Sequence, residues 1–123
     1  MEFSFLDEFN KEFKKLLRKY RTLEEDFELF KERVLTYREN GTGKFLFWRP
    51  PGIVRISNLG IETEVYKVKH FTCKALKGPG SRSGIRIIYA YFPDEDKVEF
   101  VEIYFKERDD TDCDKERIKR YYK

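Results

Sequence analysis

The middle of the chain holds a run of basic side chains without any carboxylate. From residue 65 to residue 92 there is no Asp or Glu, although the whole chain has 23 of them. In a chain so rich in acids, such a stretch is typical of a surface that binds a polyanion. The alternative is a solvated strand face whose cations pair with acids elsewhere in the fold. The basic residues of the stretch and its histidine are Lys67, Lys69, His70, Lys74, Lys77, Arg82 and Arg86.

Three of these residues suit phosphodiester chemistry without a metal. Alternation along a strand puts Lys67 and Lys69 on one face, and Arg86 opens the following strand. An arginine can hold a phosphate with two hydrogen bonds and stabilise the charge of its pentacoordinate transition state. A lysine among like charges can act as general base or acid, and a tyrosine or a second lysine can complete the proton transfer. An aromatic ring can instead stack on a base.

The lone histidine and an acidic segment have simpler interpretations than a catalytic or metal site. His70 is the only histidine, and we expect it to pack within its strand, with acid–base work as the alternative. Segment 109–114 resembles a calcium loop, but an EF-hand that starts at Asp110 needs Gly and Glu where Lys115 and Tyr121 stand. The segment is therefore expected to cap a helix with its carboxylates.

No metal or cofactor is expected from the remaining motifs. The glycine-rich segment 78–84 lacks the Gly-Lys-Ser/Thr ending of a P-loop and leads into a strand rather than a helix. We expect it to be a flexible basic loop that grips phosphates. Cys73 and Cys113 are the only cysteines, too few to complete a zinc site or a disulfide framework.

Two amphipathic helices are expected to support this basic surface from the N-terminal side. Apolar residues from Phe9 to Tyr20 recur at helical spacing and predict a helix over about residues 7–20. The sequence Thr22-Leu23-Glu24-Glu25 reads as a capping box that opens a second helix. Segment 40–43 ends that helix with glycines. Because almost nothing joins them, the two helices are expected to form an antiparallel hairpin.

The rest of the chain has the alternation of strands and ends in a short helix. A last helix, capped by Asp112 or Asp114, is expected to reach the C-terminus. The element order β-α-α-β-β-β-α predicts an α+β fold, in which an N-terminal helical hairpin packs on a mainly antiparallel sheet. Strands are expected at residues 3–5, 64–71, 85–92 and 98–105, with a further short one at 53–56.

Length and composition limit the chain to one small charged domain. It has 123 residues, 40% of them hydrophobic and 40% charged, which predicts a single domain spanning residues 1–123. No run of about 18 apolar residues is long enough to span a membrane. The first residues have neither a basic region nor a long apolar one, so we expect no secretory signal. Two reduced thiols then indicate a cytoplasmic protein.

Two stretches of the chain resemble the RelE/ParE toxin superfamily of type II toxin–antitoxin modules. The first covers residues 65–71 and continues, after a loop, over residues 83–89. The second covers residues 101–108 and is followed by a short acidic segment and a C-terminal helix at 115–122. The expected N-terminal strand and helices match in order, so the resemblance extends over nearly the whole chain.

The resemblance implies a RelE-like endoribonuclease that needs no metal and cleaves mRNA in the ribosomal A site, which inhibits translation. In such toxins strand arginines and lysines activate the 2′-hydroxyl and stabilise the transition state. By motif position the implied catalytic residues are Arg86, Lys69, Lys67, Arg108 and Tyr121, with Lys106 as an alternative to Arg108 and Tyr122 to Tyr121. The implied RNA-binding residues are Lys74, Lys77, Arg82, Lys106 and His70.

Two other functions stay open on the sequence. ParE-like members of the superfamily inhibit DNA gyrase, and the basic stretch also fits a non-catalytic RNA-binding module. The toxin hypotheses imply a cognate antitoxin as partner, and the ribonuclease hypothesis adds mRNA and the ribosome, with no membrane involved. Phe47 and Trp48 are candidates for the antitoxin interface or, as an alternative, for the edge of the core.

Overall fold

A computed structural model of the chain describes residues 2–32, 52–69, 71, 73, 84–106 and 111–123. In this part of the chain three helices accompany one five-stranded sheet, which confirms the α+β class. The strands are β1 (Glu2–Phe5), β2 (Ile53–Arg55), β3 (Glu64–Val68), β4 (Ile85–Phe92) and β5 (Lys97–Phe105). The helices are α1 (Asp7–Lys19), α2 (Leu23–Phe30) and α3 (Lys115–Tyr122).

The sheet is mixed, with β4 near its centre. Its strand order is β1-β5-β4-β3-β2, in which β1 runs parallel to β5 and the other neighbours are antiparallel. The strands predicted at 85–92 and 98–105 are confirmed to within a residue at each end. The apolar run of β4 is buried along most of its length because the strand has a neighbour on each edge.

An aromatic cluster joins α1 and α2 to one face of the sheet. The ring of Phe100 on β5 lies 5.4 Å from that of Phe9 on α1 and 4.8 Å from that of Phe27 on α2. Tyr89 on β4 contacts Phe100 from the same face. Burial of these rings holds both helices against the sheet, since large aromatic side chains remove the most apolar area from water.

The expected helical hairpin is not clearly formed in the described residues. The helix predicted at residues 7–20 is confirmed to residue 19, and the second begins at Leu23 as predicted. However, α1 packs mainly on β5 and makes few contacts with α2. The predicted end of the second helix, at residues 40–43, lies outside the described residues.

The capping prediction was wrong for α2 and right for α3. Thr22 precedes α2, but its hydroxyl makes no capping hydrogen bond; it donates to the Asp26 carboxylate at 2.8 Å instead. The capping box fails because this side chain prefers a nearby carboxylate acceptor. At α3 the Asp114 carboxylate accepts a hydrogen bond from the backbone N–H of Arg117 at 3.0 Å, as expected of a helix cap.

A bidentate ion pair covers the outer edge of β5 beyond the end of β1. Arg117 on α3 donates from both terminal nitrogens to the Glu12 carboxylate on α1, each at 2.9 Å. Arg117 also donates to the carbonyl of Val101, and the backbone N–H of Ile103 donates to Glu12. The pair therefore satisfies backbone groups that β1, which ends at Phe5, does not reach.

Gly84, just before β4, adopts a conformation that favours glycine. Its φ is +87°, and a Cβ added there would lie 2.9 Å from the Phe105 ring. Gly60 has a φ of +69° but open space around the same position. The two glycines therefore separate backbone strain from steric contact.

We expect Gly60→Ala to lower the free energy of unfolding by about 1 kcal/mol through left-handed strain alone. Gly84→Ala should lower it by about 2 to 3 kcal/mol, because the new methyl group also displaces Phe105. Urea denaturation of the two variants beside the wild type measures both losses. Equal losses would show that the Phe105 ring moves aside without cost.

Candidate functional site

A polar cleft lies on the face of the sheet opposite the aromatic cluster. Its volume is about 560 Å³, within the range of small-ligand pockets. Side chains alternate between faces along β3, so Lys67 points away from the core that its neighbours Tyr66 and Val68 enter. The described residues that line the cleft are Lys67, Lys69, Arg86, Tyr104, Lys106, Thr111 and Asp112.

A β-bulge determines which side chains of β5 line this cleft. Ile88 pairs with Glu102 and Tyr89 pairs with Phe100, so Val101 has no partner residue on β4. The extra residue changes the alternation of β5 at that point. As a result Phe100 faces the aromatic cluster while Tyr104, four residues later, faces the cleft with Lys106.

Arg86 is fixed at the mouth of β4 by the backbone of the neighbouring strand. Its Nη1 donates to the carbonyl oxygen of Lys69 at 3.0 Å, and that of Ile85 lies 3.5 Å away. A guanidinium carries five N–H donors, so a ligand oxygen can be bound by the others. The same contact holds Lys69, whose side chain is exposed, beside Arg86.

Asp112 brings a carboxylate into the cluster of cations. Lys67 Nζ donates to Asp112 Oδ1 at 2.5 Å, and the backbone N–H of Cys113 donates to the same oxygen at 2.7 Å. The Lys67 hydrogen bond holds the pKa of Asp112 well below its usual range, so this carboxylate is ionised. Lys67 thus pairs with an acid from elsewhere in the fold, which was the alternative interpretation of the basic stretch.

Tyr104 faces the cleft directly opposite Arg86 in the strand register. Burial raises the pKa of its phenol, and the nearby Cys113 and Asp112 act in the same direction. The phenol therefore keeps its proton and can donate a hydrogen bond to an anion, while its ring offers a stacking surface. Sequence reasoning missed this residue because period-2 alternation assigns it to the same face as Phe100.

A buried acid anchors the segment that carries Asp112. Glu102 on β5 is only 8% exposed, and its Oε1 accepts a hydrogen bond from the backbone N–H of Asp114 at 2.7 Å. Burial raises the pKa of Glu102 to about 7, and the nearby charge of Glu12 adds to the effect. This contact fixes the start of α3, and with it one wall of the cleft.

Four of the sequence-predicted site residues come together in the cleft, and one does not. Lys67, Lys69, Arg86 and Lys106 line it. Tyr121 is not among its lining residues; it lies on α3, and its hydroxyl donates to Glu8 of α1 at 2.7 Å. Its alternative, Tyr122, donates to Glu99 at 2.7 Å. The predicted residues His70, Lys74, Lys77, Arg82 and Arg108 lie outside the described residues, as do Phe47 and Trp48.

Within the described ranges, no three His, Cys, Asp or Glu side chains are grouped so that they could hold a metal ion. The two cysteines are buried and not bonded to each other. In those same ranges no helix has the length and apolar character needed to cross a membrane.

No protein-family model matches the chain, and neither a curated protein nor a solved structure matches it. The resemblance to the RelE/ParE superfamily therefore stays a proposal based on the motifs quoted above. Functional inference depends on the chemistry of the cleft itself.

The raised pKa of Glu102 predicts how stability depends on pH. A carboxyl whose pKa is higher in the folded than in the unfolded state stabilises most below the unfolded value of 4.5, and this stability is lost as the pH rises through about 7. Glu102→Gln keeps an acceptor for the Asp114 N–H but cannot ionise. We expect it to raise the free energy of unfolding by about 2 kcal/mol at pH 8 and to leave it nearly unchanged at pH 5.

Urea denaturation at both pH values measures this difference. Glu116→Gln, which removes an exposed charge from the same helix, is the matched control and should change stability little at either pH. A loss of stability in Glu102→Gln at pH 8 would mean that the ionised carboxylate is needed to hold α3.

Proposed function

We propose that the protein is a metal-independent endoribonuclease of the RelE type, the toxin of a type II toxin–antitoxin module. The observation that carries the proposal is the convergence of Lys67, Lys69, Arg86 and Lys106 in one cleft. Such a group of cations matches the charge of an RNA backbone. The proposal includes cleavage of mRNA on the ribosome, inhibition of translation, a cytoplasmic location and a cognate antitoxin.

The chemistry proposed for the cleft is transfer of the phosphoryl group to the neighbouring 2′-oxygen. The 2′-oxygen forms a bond to phosphorus, the bond from phosphorus to the 5′-oxygen breaks, and a 2′,3′-cyclic phosphate and a 5′-hydroxyl result. Arg86 holds two phosphate oxygens and stabilises the extra charge of the transition state. Lys69, in its neutral form, takes the 2′-hydroxyl proton, and Lys106 donates one to the leaving 5′-oxygen.

Tyr104 completes the proposed site from β5. Its ring lies across from Arg86 and can stack on the base next to the scissile phosphate. Half-burial of the ring fixes its position, so a base that stacks there would set the register of the backbone in the cleft. This role needs no particular base, since every base has a face that can stack.

The element order adds support for the RelE-like part of the proposal. A first strand, two helices, an antiparallel set of strands and a short C-terminal helix follow one another in the order that the resemblance implies. The predicted partners follow from the same resemblance.

A second candidate function is RNA binding without cleavage. Two of the residues proposed for catalysis are hydrogen-bonded to carboxylates: Lys67 to Asp112 and Tyr121 to Glu8. Both contacts reduce the number of groups ready for proton transfer. This candidate keeps the cleft as the binding surface and predicts a salt-dependent affinity for RNA.

Arg86→Ala should reduce the rate of mRNA cleavage by about 100-fold or more, because it removes the main contact to the transition-state charge. The measurement is primer extension on mRNA in a cell-free translation reaction, with and without active ribosomes. Arg120→Ala is the matched control, since Arg120 binds Glu8 and does not line the cleft. The control should cleave like the wild type.

Each outcome of that experiment has a distinct meaning. New mRNA ends in the wild type that disappear with Arg86→Ala support the proposed nuclease. Ends that persist in Arg86→Ala would move the reaction to another site. If a folded wild type makes no new ends, the nuclease proposal is wrong, and inhibition of DNA gyrase supercoiling becomes the next assay.

Binding alone is tested by the salt dependence of RNA affinity. We expect Lys69→Ala to weaken binding of single-stranded RNA and to reduce the slope of log affinity against log salt by about 0.7. Lys14→Ala removes an exposed lysine from α1 and should leave the slope unchanged. Fluorescence anisotropy over a salt series measures both slopes. Equal slopes in the two variants would exclude Lys69 from the RNA contact.

A further inference from the structure

The contact between Asp112 and Lys67 joins an anion of this chain to a cation of the cleft. Asp112 Oδ1 accepts from Lys67 Nζ, and Oδ2 lies 3.6 Å from Lys115 Nζ. The side chain of Asp112 is 45% exposed, so a ligand in the cleft can reach it. A carboxylate and a phosphodiester both carry one negative charge and accept hydrogen bonds from a lysine, so they compete for the same donor.

The local structure lets this carboxylate leave without disturbing the fold. Asp112 precedes α3 in a segment without helix or strand hydrogen bonds. The segment is held two residues later, where Asp114 caps α3 and donates its N–H to Glu102. The Asp112 side chain can therefore rotate away while α3 and the wall of the cleft stay in place. An exposed ion pair of this kind contributes little to stability, so its loss costs little.

We propose that Lys67 forms a phosphate subsite whose resident occupant is Asp112, and that an RNA phosphate enters by displacing this carboxylate. The inference rests on the proposed function, since it concerns how the same cleft receives its ligand. Asp112 then serves two purposes. It neutralises one cation in the free protein, and it sets a threshold that favours ligands with several adjacent phosphates over single anions.

The charges around the contact support this exchange. With Asp112 in place, its carboxylate cancels one of the four cationic side chains that line the cleft. A phosphate that approaches Arg86 and Lys69 meets this negative charge at the far side of the same cleft. Asp112→Asn keeps the size of the side chain and an oxygen for the Cys113 N–H, but removes the repulsion. The lowered pKa of Asp112 is consistent with strong coupling to Lys67.

The test compares affinities for an RNA probe that cannot be cleaved. The probe is a 2′-O-methyl oligonucleotide of about eight nucleotides, within the usual site size for single strands. Fluorescence anisotropy should show Asp112→Asn binding it about tenfold more tightly than the wild type. Glu116→Gln removes a carboxylate of the same helix outside the cleft and should bind within about twofold of the wild type.

A second measurement uses the wild-type protein and detects the displacement itself. The pKa of the Asp112 carboxyl, followed by NMR, should rise toward its ordinary value when the probe is bound, because Lys67 no longer donates to it. This readout stays decisive even if Asp112→Asn fails to fold. A probe that binds without any change in the Asp112 pKa would overturn the displacement.

The outcomes separate this inference from the proposed function. If the wild type binds the probe, Arg86→Ala does not, and Asp112→Asn binds no more tightly than the wild type, the phosphate subsite is wrong while the RNA-binding cleft stands. If neither the wild type nor Asp112→Asn binds the probe, the proposed function fails and the subsite fails with it.

Discussion

The bidentate pair between Glu12 and Arg117 is the contact that joins the three parts of this small fold. It connects α1, α3 and the outer edge of β5, and it satisfies backbone groups of Val101 and Ile103. Arg117 is only 9% exposed, so neither charge could be removed alone without leaving the other poorly solvated. The position of α3 depends on this pair, and the wall of the cleft in turn depends on α3.

The sheet has an apolar face and an ionic face, and the boundary between them follows from side-chain alternation. Phe100 lies at the centre of the apolar face, where rings from β1, α1, α2 and β4 contact it. The opposite face of β3, β4 and β5 carries the cations of the cleft. Because both faces belong to the same strands, the rigid core holds the positions of Lys67 and Arg86. A site held in this way needs little reorganisation when a charged ligand arrives.

Acidic side chains determine the electrostatics of the cleft as much as the lysines do. Asp112 is ionised and reduces the positive charge at Lys67, whereas burial raises the pKa of Glu102 so that it titrates near neutral pH. The two residues lie on either side of Cys113–Asp114 and act on the same short segment. Ligand binding at Lys67 and protonation of Glu102 therefore affect neighbouring parts of one structural element.

The sequence by itself determined the elements, because helical and strand periodicities are local properties of the chain. It also determined that Lys67 and Lys69 share a face and that Arg86 begins the neighbouring strand, since alternation alone decides this. Only the tertiary structure decided the partner of Lys67, because Asp112 is 45 residues away in the chain. It also decided that Tyr104 faces the cleft, since the bulge at Val101 reverses the alternation of β5. Contacts between distant residues and a single unpaired residue in a strand leave no periodic signal, which is why this half of the site came from the fold.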